Sequence, residues 1–325
     1  MSELTVRSLS AQDKESWEKF VENSNNGTIF HRLKFLAYHG QRFRSNERHG
    51  VILDGKKIFG VFPLAVFEVD GQRIARSPYG ASYGGPVFAE ALNYEQSAAV
   101  VESLVQYFKS LKVSEAVMTL PPRCCERVYS ETFQLVLLNA GFETVNRDIT
   151  SVVSLSAGIL ETGLFAAKQK ETGRKARKAR EAKIETVHRA PVEDFWTVLE
   201  KTFEKFDFPP THTREEFAQL HKSFPKEIYC DVAFLDGKPV AGIGFIHVNA
   251  LTALTFYLCG DPTHQKTQAL SLLIEEALRR SQKEGFRYLD FGTSSMQMKP
   301  RENLFRFKES FGAIGLFRTT YRLKL

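Results

Sequence analysis

A lysine lies among phenylalanines in the stretch "NLFRFKESFG" at 303–312. If this stretch is helical, Leu304, Phe307, Lys308 and Phe311 follow the i, i+3, i+4, i+7 spacing of one buried face. Lys308 either extends past the aromatic rings to water or places its ammonium group in a partly dry cleft. In such a cleft, a fixed positive charge can stabilise the oxyanion that forms when a nucleophile attacks a carbonyl, or bind a carboxylate. Lys308 is therefore a candidate catalytic residue.

A carboxylate that could accompany this lysine lies near the end of the segment "FRYLDF" at 286–291. This segment reads as a strand that follows a long helix. Phe286, Tyr288 and Asp290 alternate along it and so share one side. Asp290 comes just before "GTSS", at the carboxyl end of the strand, where α/β folds place ligands. We expect Asp290 to be the counter-ion of Lys308 or to cap the turn that follows, and the two roles are compatible.

The excess of positive charge is concentrated in one segment. At 168–183, "KQKETGRKARKAREAK" holds eight Lys or Arg and two Glu, so its balance of 8 − 2 = +6 equals the net charge of the whole chain. As a helix it would present Arg174, Arg177 and Lys178 on one face with Lys170, and alanines on another face. The segment is either a solvated charged helix or a clamp for phosphate groups, for which arginine is well suited.

The loop "SPYGASYGGP" at 77–86 contains the G-x-S-x-G pattern of a hydrolase nucleophile elbow, with Ser82 in the middle. That motif requires a strand before it and a helix after it, and the Gly-Pro that follows cannot continue into a helix. We therefore reject a hydrolase. Tyr79 and Tyr83 remain candidate ligand-binding residues, because a rigid loop with exposed backbone N–H groups and aromatic rings can hold a ligand; a plain connection between strands is the alternative.

The remaining motifs and the composition exclude several classes of protein. The sequence has no G-x-G-x-x-G, no Walker loop, no H-E-x-x-H and no Cys/His zinc pattern, and we expect no metal and no bound cofactor. Its 43% hydrophobic and 25% charged residues are typical of a soluble globular protein, and four cysteines do not make a disulfide framework. With neither a secretion signal nor an apolar run long enough to span a membrane, the chain is expected to be cytoplasmic.

Two similar stretches indicate that the chain contains two α/β units. "LDGKKIFGVFPL" at 53–64 and "LDGKPVAGIGFI" at 235–246 both read as two strands joined by an Asp-Gly turn. Each follows an amphipathic helix with one of the two tryptophans and precedes a long helix that leads into a strand. We predict a tandem duplication of one α/β (α+β) unit, with units at 1–150 and 151–325; coincidental likeness is the alternative.

Four segments together resemble a known family. In chain order, "TIFHRLKFLAYHG", "SPYGASYGGPVF", "GRKARKAREAK" and "YLDFGTSSMQMKPRENLFRFKESFG" are similar to the FemAB-like (BioF2-like) branch of the GNAT acyltransferase superfamily. The resemblance implies two tandem GNAT-like units with a cleft between them. It also implies transfer of an acyl or aminoacyl group onto an amine, without a metal or a bound redox cofactor. The best-known members use aminoacyl-tRNA and extend the peptide of a UDP-linked peptidoglycan precursor, and others are expected to act on polysaccharides or exported glycans.

The same resemblance implies roles for the residues found above. Lys308 matches the family lysine of F-K-x-x-F/W-G, which is thought to stabilise the tetrahedral oxyanion, and Asp290 matches the aspartate of D-F-G. The basic helix, through Arg174 and Arg177, resembles the element that contacts acceptor phosphates. The coiled-coil arm of the peptidoglycan enzymes is not recognisable in this sequence, which disfavours a peptidoglycan acceptor.

The identity of the donor stays open between two carriers. GNAT enzymes bind the pyrophosphate of coenzyme A with Q/R-x-x-G-x-G/A at a helix N-terminus, where backbone N–H groups approach the phosphates. The equivalent positions here read "QKTQAL" at 265–270, with Gln268 and Leu270 in place of small residues. We therefore favour aminoacyl-tRNA over acyl-CoA as donor, with an amine of a cell-envelope or polysaccharide precursor as acceptor. The alternatives are a CoA-dependent N-acetyltransferase with an atypical loop and a non-catalytic GNAT-fold binding module.

Overall fold

The structure is a computed structural model that describes residues 4–155, 164–204 and 208–325, and the chain divides into two compact units. Unit 1 comprises Met1–Asp148 and Phe317–Leu325, and unit 2 comprises Ile149–Leu316. The segment Phe317–Leu325 thus belongs to unit 1, whereas the sequence analysis placed it in the second unit. The cleft expected between the units stays a prediction.

The elements of unit 1 follow one another in the order β1 (Leu4–Ser8), α1 (Lys14–Asn23), α2 (Leu33–Leu36), β2 (Gly50–Asp54), β3 (Lys57–Phe62), β4 (Ala65–Val69), β5 (Gln72–Ser77), β6 (Val87–Phe88), α3 (Tyr94–Ser110), β7 (Glu115–Thr119) and α4 (Thr132–Asn139). Strands β1, β2, β3 and β6 form an antiparallel sheet in that order. Strands β4, β5 and β7 are neighbours, and β5 runs parallel to β7. The apolar face of α3 supplies much of the core of this unit, including Leu104 and Phe108.

Strand β8 (Glu143–Ser154) leads into unit 2, whose elements are α5 (Leu164–Glu181), β9 (Glu185–Val187), α6 (Val192–Phe203), α7 (Arg214–Ser223), β10 (Ile228–Leu235), β11 (Lys238–His247), β12 (Thr252–Gly260), α8 (Ala269–Lys283), β13 (Tyr288–Thr293), β14 (Ser295–Met296), β15 (Lys299–Pro300) and α9 (Glu302–Glu309); β16 (Ile314–Lys324) ends the chain. The strand order in unit 2 is β8-β13-β12-β11-β10-β9. Only β12 and β13 are parallel within this order, since the long helix α8 connects them. Helix α8 packs on the core through the buried side chains of Leu273, Ile274 and Ala277.

The two similar stretches form the hairpins β2–β3 and β10–β11, as predicted, but their turns differ. In the second hairpin the turn consists of Asp236 and Gly237, and both have positive φ, 49° and 72°. In the first hairpin Asp54 is still part of β2, so the turn consists of Gly55, with a φ of 58°, and Lys56. The prediction of an Asp-Gly turn is therefore wrong for the first hairpin. Glycine at the first central position suits the other common two-residue turn, in which only that position requires positive φ.

The basic helix α5 packs on α8 through its predicted alanine face. Ala176 and Ala179 are fully buried, and Arg180 Nη2 donates to Glu275 Oε2 of α8 at 2.6 Å. The side chains at 164–169, including that of Lys168 in the predicted basic segment, lie outside those that the structure describes. Small side chains let α5 approach α8 closely, so this contact depends on the absence of bulk at these positions.

None of the helices in the described parts of the chain combines the length and the apolar character that crossing a membrane requires.

Enlarging the alanine face should destabilise the fold. We expect Ala179→Leu to lower the free energy of unfolding by about 1–3 kcal/mol, because the added atoms must displace packed neighbours. The matched control is Arg177→Leu at an exposed position of the same helix, which should change it by less than about 0.5 kcal/mol. Urea denaturation of the two variants measures both values, and equal effects would contradict the observed orientation of α5.

Candidate functional site

Lys308 is the one buried side chain of α9, all of whose residues the structure describes. It is 4% exposed, and its Nζ donates to the carbonyl oxygens of Gly292 at 2.9 Å and Thr293 at 2.7 Å. The side chain therefore does not extend to water, which settles the choice left open by the sequence. Leu304 was predicted on the same buried face, but it is 37% exposed; that prediction is wrong, since the helix makes its first turn at the surface and turns inward only at its C-terminal end.

An irregularity in β13 explains why two consecutive carbonyls can point at one lysine. Asp290 is opposite Val152 of β8, but Thr293 is opposite Thr150, so β13 contains one extra residue at this point. Gly292, within the bulge, has a φ of 74°, a conformation that other residues rarely adopt. Bulges of this kind break the regular pairing and redirect backbone groups, which here become the hydrogen-bond acceptors of the lysine.

Asp290 holds the bulge in place. It is 1% exposed, and its Oδ1 accepts hydrogen bonds from Thr150 Oγ1 at 2.6 Å and from the Gly292 N–H at 2.7 Å. The predicted turn-capping role of Asp290 is thus present in the structure. Gly292 links the two candidate residues. Its N–H donates to the carboxylate of Asp290, and its carbonyl oxygen accepts from the ammonium group of Lys308.

A cavity of about 320 Å³ in unit 2 is bordered by α9 and by the start of α8. Its polar and aromatic lining includes Lys175, Asp261, His264, Gln265, Gln268 and Phe307. Phe307 precedes Lys308 directly, so the cavity and the buried lysine share one helix. The segment 265–270, which the sequence analysis singled out, therefore does border a cavity. Its Gln268 has a φ of 62° and makes no side-chain cap of α8.

Asp261 fixes the wall of this cavity. It is 6% exposed and accepts from Lys201 Nζ at 3.0 Å and from Thr263 Oγ1 at 2.6 Å. Burial by itself would raise the pKa of Asp261, but the hydrogen bonds from Thr263 and Lys201 outweigh it and hold the pKa below its usual range. His264 Nδ1 lies 3.5 Å from Asp261 Oδ2, which places a titratable ring on the same wall. Neither residue was predicted, because they approach Lys201 only through the packing of α6.

The corresponding place in unit 1 is almost filled. Phe88 of β6, Leu92 before α3 and Phe133 of α4 line a cavity there of only about 40 Å³. The N-terminus of α3 is closed by its own side chains, because Asn93 and Gln96 accept hydrogen bonds from each other's backbone N–H groups. The two units thus differ at equivalent positions, and of these two cavities only the one in unit 2 has room for part of a small molecule.

The basic helix divides its charges between solvent and protein. Arg174, Arg177 and Lys178 are exposed, together with Lys170, on the face predicted for them. Lys175 was not singled out by the sequence analysis, yet it borders the cavity and donates to Ser310 Oγ, just after α9, at 3.3 Å. Lys175 also forms an ion pair at 3.1 Å with Glu171, which lies four residues earlier on the helix.

Tyr79 and Tyr83, the candidate ligand-binding residues of unit 1, are buried. Tyr79 Oη donates to Glu47 Oε1 at 2.9 Å, and Tyr83 packs edge-on against Phe30. The loop also satisfies its own N–H groups, since that of Gly85 donates to a serine hydroxyl and its neighbour's donates to a strand carbonyl. The expectation of exposed N–H groups in this loop is therefore wrong at these positions, and the two rings support the loop from inside.

Removing the hydroxyl that holds Asp290 should weaken unit 2. We expect Thr150→Val to lower the free energy of unfolding by about 1–3 kcal/mol, because it leaves a buried carboxylate with one donor fewer at nearly constant volume. Thr150→Ser is the matched control, since it keeps the hydroxyl. Urea denaturation compares the two, and a Val variant as stable as the Ser variant would show that this hydrogen bond is dispensable.

The sequence of unit 2 matches a known family. Residues 166–308 match the family model described as an acetyltransferase (GNAT) domain. The matched region includes most of the basic helix, the strand with Asp290 and Lys308 itself. No curated protein sequence matches the chain.

Solved structures similar to this one extend over nearly the whole chain. FemX has a TM-score of 0.70 at 11% identity and covers 98% of this chain and 97% of its own. L-PGS from Bacillus licheniformis has a TM-score of 0.59 at 10% identity, covering 97% and 92%. A tandem GNAT protein from the clavulanic acid biosynthesis pathway has a TM-score of 0.55 at 12% identity, covering 99% and 98%. Because the sequences are only 10–12% identical, these similarities show a shared fold and nothing about activity. Residues 166–308 of this chain thus match a GNAT acetyltransferase domain, and its whole fold is similar to those of FemX and of a tandem GNAT protein, in agreement with the fold that the sequence resemblance implied.

Proposed function

We propose that this chain moves an acyl or aminoacyl group from a carrier ester or thioester onto an amine. The observation that carries the proposal is the Lys308 ammonium group, buried on the Gly292 and Thr293 carbonyls and adjacent in sequence to Phe307 at the cavity. A positive charge with little water around it acts strongly on the negative charge that develops on a carbonyl oxygen during acyl transfer.

The proposed reaction conserves atoms and charge in two steps. The acceptor amine attacks the carbonyl carbon of the donor, and the electron pair of the C=O bond moves to oxygen, where Lys308 stabilises it. The tetrahedral intermediate then collapses, the bond to the carrier oxygen or sulfur breaks, and an amide forms. The proton lost by the amine ends on the carrier, which leaves as an alcohol or thiol. No metal or redox cofactor takes part in these steps.

In this mechanism Asp290 acts by positioning. Its carboxylate is engaged by Thr150 and by the Gly292 N–H, which fixes the two carbonyls that orient Lys308. This arrangement favours the positioning role over the alternative in which Asp290 takes the proton of the amine, because two hydrogen bonds to Oδ1 hold the carboxylate on the backbone of β13 and on Thr150.

For the donor we propose that the carrier end lies in the cavity beside α8. Aminoacyl-tRNA is the favoured carrier, since Gln268 and Leu270 stand where enzymes that bind coenzyme A in the usual way have small residues. An acyl-CoA donor is the second candidate. It is favoured by the match to an acetyltransferase domain and by the cavity at the start of α8, where the N-cap residue Gln268 makes no side-chain cap.

For the acceptor we propose an amine of a cell-envelope or polysaccharide precursor. The exposed Arg174, Arg177 and Lys178 form a face that suits phosphate groups, such as those of a nucleotide-linked precursor. FemX and L-PGS, whose folds this chain shares, support a transferase of this general kind. A phosphate backbone of tRNA would fit the same face.

The carrier can be identified by thermal denaturation with acetyl-CoA, charged tRNA and a set of UDP-amino sugars. A ligand that binds only the native protein raises the midpoint by mass action. A shift with charged tRNA or a nucleotide sugar that is lost in Arg174→Ala supports the favoured assignment, and a shift with acetyl-CoA supports the second candidate. If none of them shifts the midpoint, the non-catalytic binding module becomes the better interpretation.

With the substrates in hand, Lys308→Met should lower turnover by about 10²–10³-fold, because the oxyanion loses its principal stabilising charge. The matched control is Arg306→Met, which removes an exposed positive charge from the same helix and should leave turnover within about twofold. Single-turnover assays give both rates, and circular dichroism verifies folding. A folded Lys308→Met protein with unchanged turnover would refute the assignment of Lys308.

A further inference from the structure

In unit 1 the buried side chains of His49 and Tyr79 form a hydrogen-bond chain that ends at the partly exposed Glu47 and that the transfer reaction does not use. His49 Nδ1 accepts from the N–H of Leu64 at 3.2 Å, so its Nε2 carries the proton of the neutral ring. Burial, and to a smaller extent the nearby charge of Lys14, lowers the pKa of His49 to about 4, and the ring is neutral at pH 7. Its Nε2 lies 3.3 Å from Tyr79 Oη, which in turn donates to Glu47 Oε1 at 2.9 Å.

The hydrogen bond from Tyr79 orients the carboxylate of Glu47 and occupies only one of its two oxygens. Oε1 receives the hydrogen bond from Tyr79, while Oε2 is 3.9 Å from His49 Nε2, beyond hydrogen-bond distance. The Glu47 side chain is 30% exposed, and it lines a cavity of about 510 Å³ together with His49. An oriented carboxylate with an available oxygen at a cavity is an acceptor for the hydroxyl group of a ligand.

The same cavity is rich in positive charge. Lys14, Lys34 and Arg44 line it, each from a different segment of unit 1. Its other acid, Glu18, is already engaged by Arg32 Nε at 2.7 Å and by the backbone N–H of Lys34 at 3.0 Å. Within the described parts of the chain, neither Lys14 nor Arg44 forms an ion pair, so their charge is available to a ligand. A guanidinium and an ammonium group at one cavity match the charge and geometry of a phosphate group.

We propose that this cavity of unit 1 binds a sugar phosphate, with the phosphate on Arg44 and Lys14 and a sugar hydroxyl on Glu47. The cavity volume is that of a small-molecule site and suits one sugar ring with its phosphate. The hydrogen-bond chain from His49 through Tyr79 is the positioning element, because it holds the carboxylate of Glu47 in place at the wall of the cavity. The proposal is independent of the transfer site in unit 2.

Isothermal titration calorimetry with glucose 6-phosphate, inorganic phosphate and glucose tests the site in the full chain. We expect glucose 6-phosphate to bind at least about tenfold more tightly than inorganic phosphate, because of the added hydrogen bond to a charged group. Glucose alone should show no binding. Arg44→Ala should weaken binding of both phosphates by about tenfold or more, whereas Arg42→Ala, an exposed arginine that does not line the cavity, should not.

The carboxylate is tested by Glu47→Gln, whose amide oxygen can still accept from Tyr79 while its NH₂ group replaces the acceptor for the sugar. This variant should bind inorganic phosphate at least as well as the unmodified protein, but lose the preference for glucose 6-phosphate. Thermal midpoints within about 2 °C of the unmodified protein verify folding. An unchanged preference in Glu47→Gln, equal binding in Arg44→Ala, or no binding of either phosphate at millimolar concentration would overturn the proposal.

Discussion

The burial of one ammonium group constrains the candidate site more than any other interaction. Taking a charge out of water costs several kcal/mol of free energy unless hydrogen bonds compensate for it. For Lys308 the carbonyls of Gly292 and Thr293 provide that compensation, and they point toward the lysine only because β13 bulges. The bulge is held by Asp290, and Asp290 is held by Thr150. These contacts form one continuous series, so the position of the charge depends on every member.

The basic helix shows how packing gives different roles to residues of the same type. Its alanines are buried on α8, which brings Arg180 to Glu275 and Lys175 to the cavity. Four cations are left at the surface, where long side chains stay hydrated and can contact phosphates: Lys170, Arg174, Arg177 and Lys178. One side of α5 thus packs on α8, and another side of the same helix forms a charged face.

Both units contain a tryptophan-bearing helix, a hairpin and a long helix that leads into a strand, but they differ where ligands would bind. In unit 1 the start of α3 is closed by Asn93 and Gln96, and the adjacent space is only about 40 Å³. In unit 2 the N-cap residue of α8, Gln268, makes no side-chain cap, and the cavity is about eight times larger at 320 Å³. Unit 1 instead has its polar cavity beside Glu47 and His49, on other elements. Two units of similar fold can therefore support different sites, since the sites depend on a few local side chains.

The sequence by itself determined both hairpins, the helix before and the long helix after each of them, the alanine face of α5 and the choice of Lys308 and Asp290 as candidates. These inferences rest on periodicity and on short motifs, which report local structure directly. Tertiary structure alone decided that Leu304 is exposed while Lys308 is buried, and that Lys175 reaches the cavity. It also brought Thr150, which is 140 residues away in the sequence, to Asp290. The reason is physical: the burial and partners of a side chain depend on which distant element packs against it, and periodicity within one element carries no information about that neighbour.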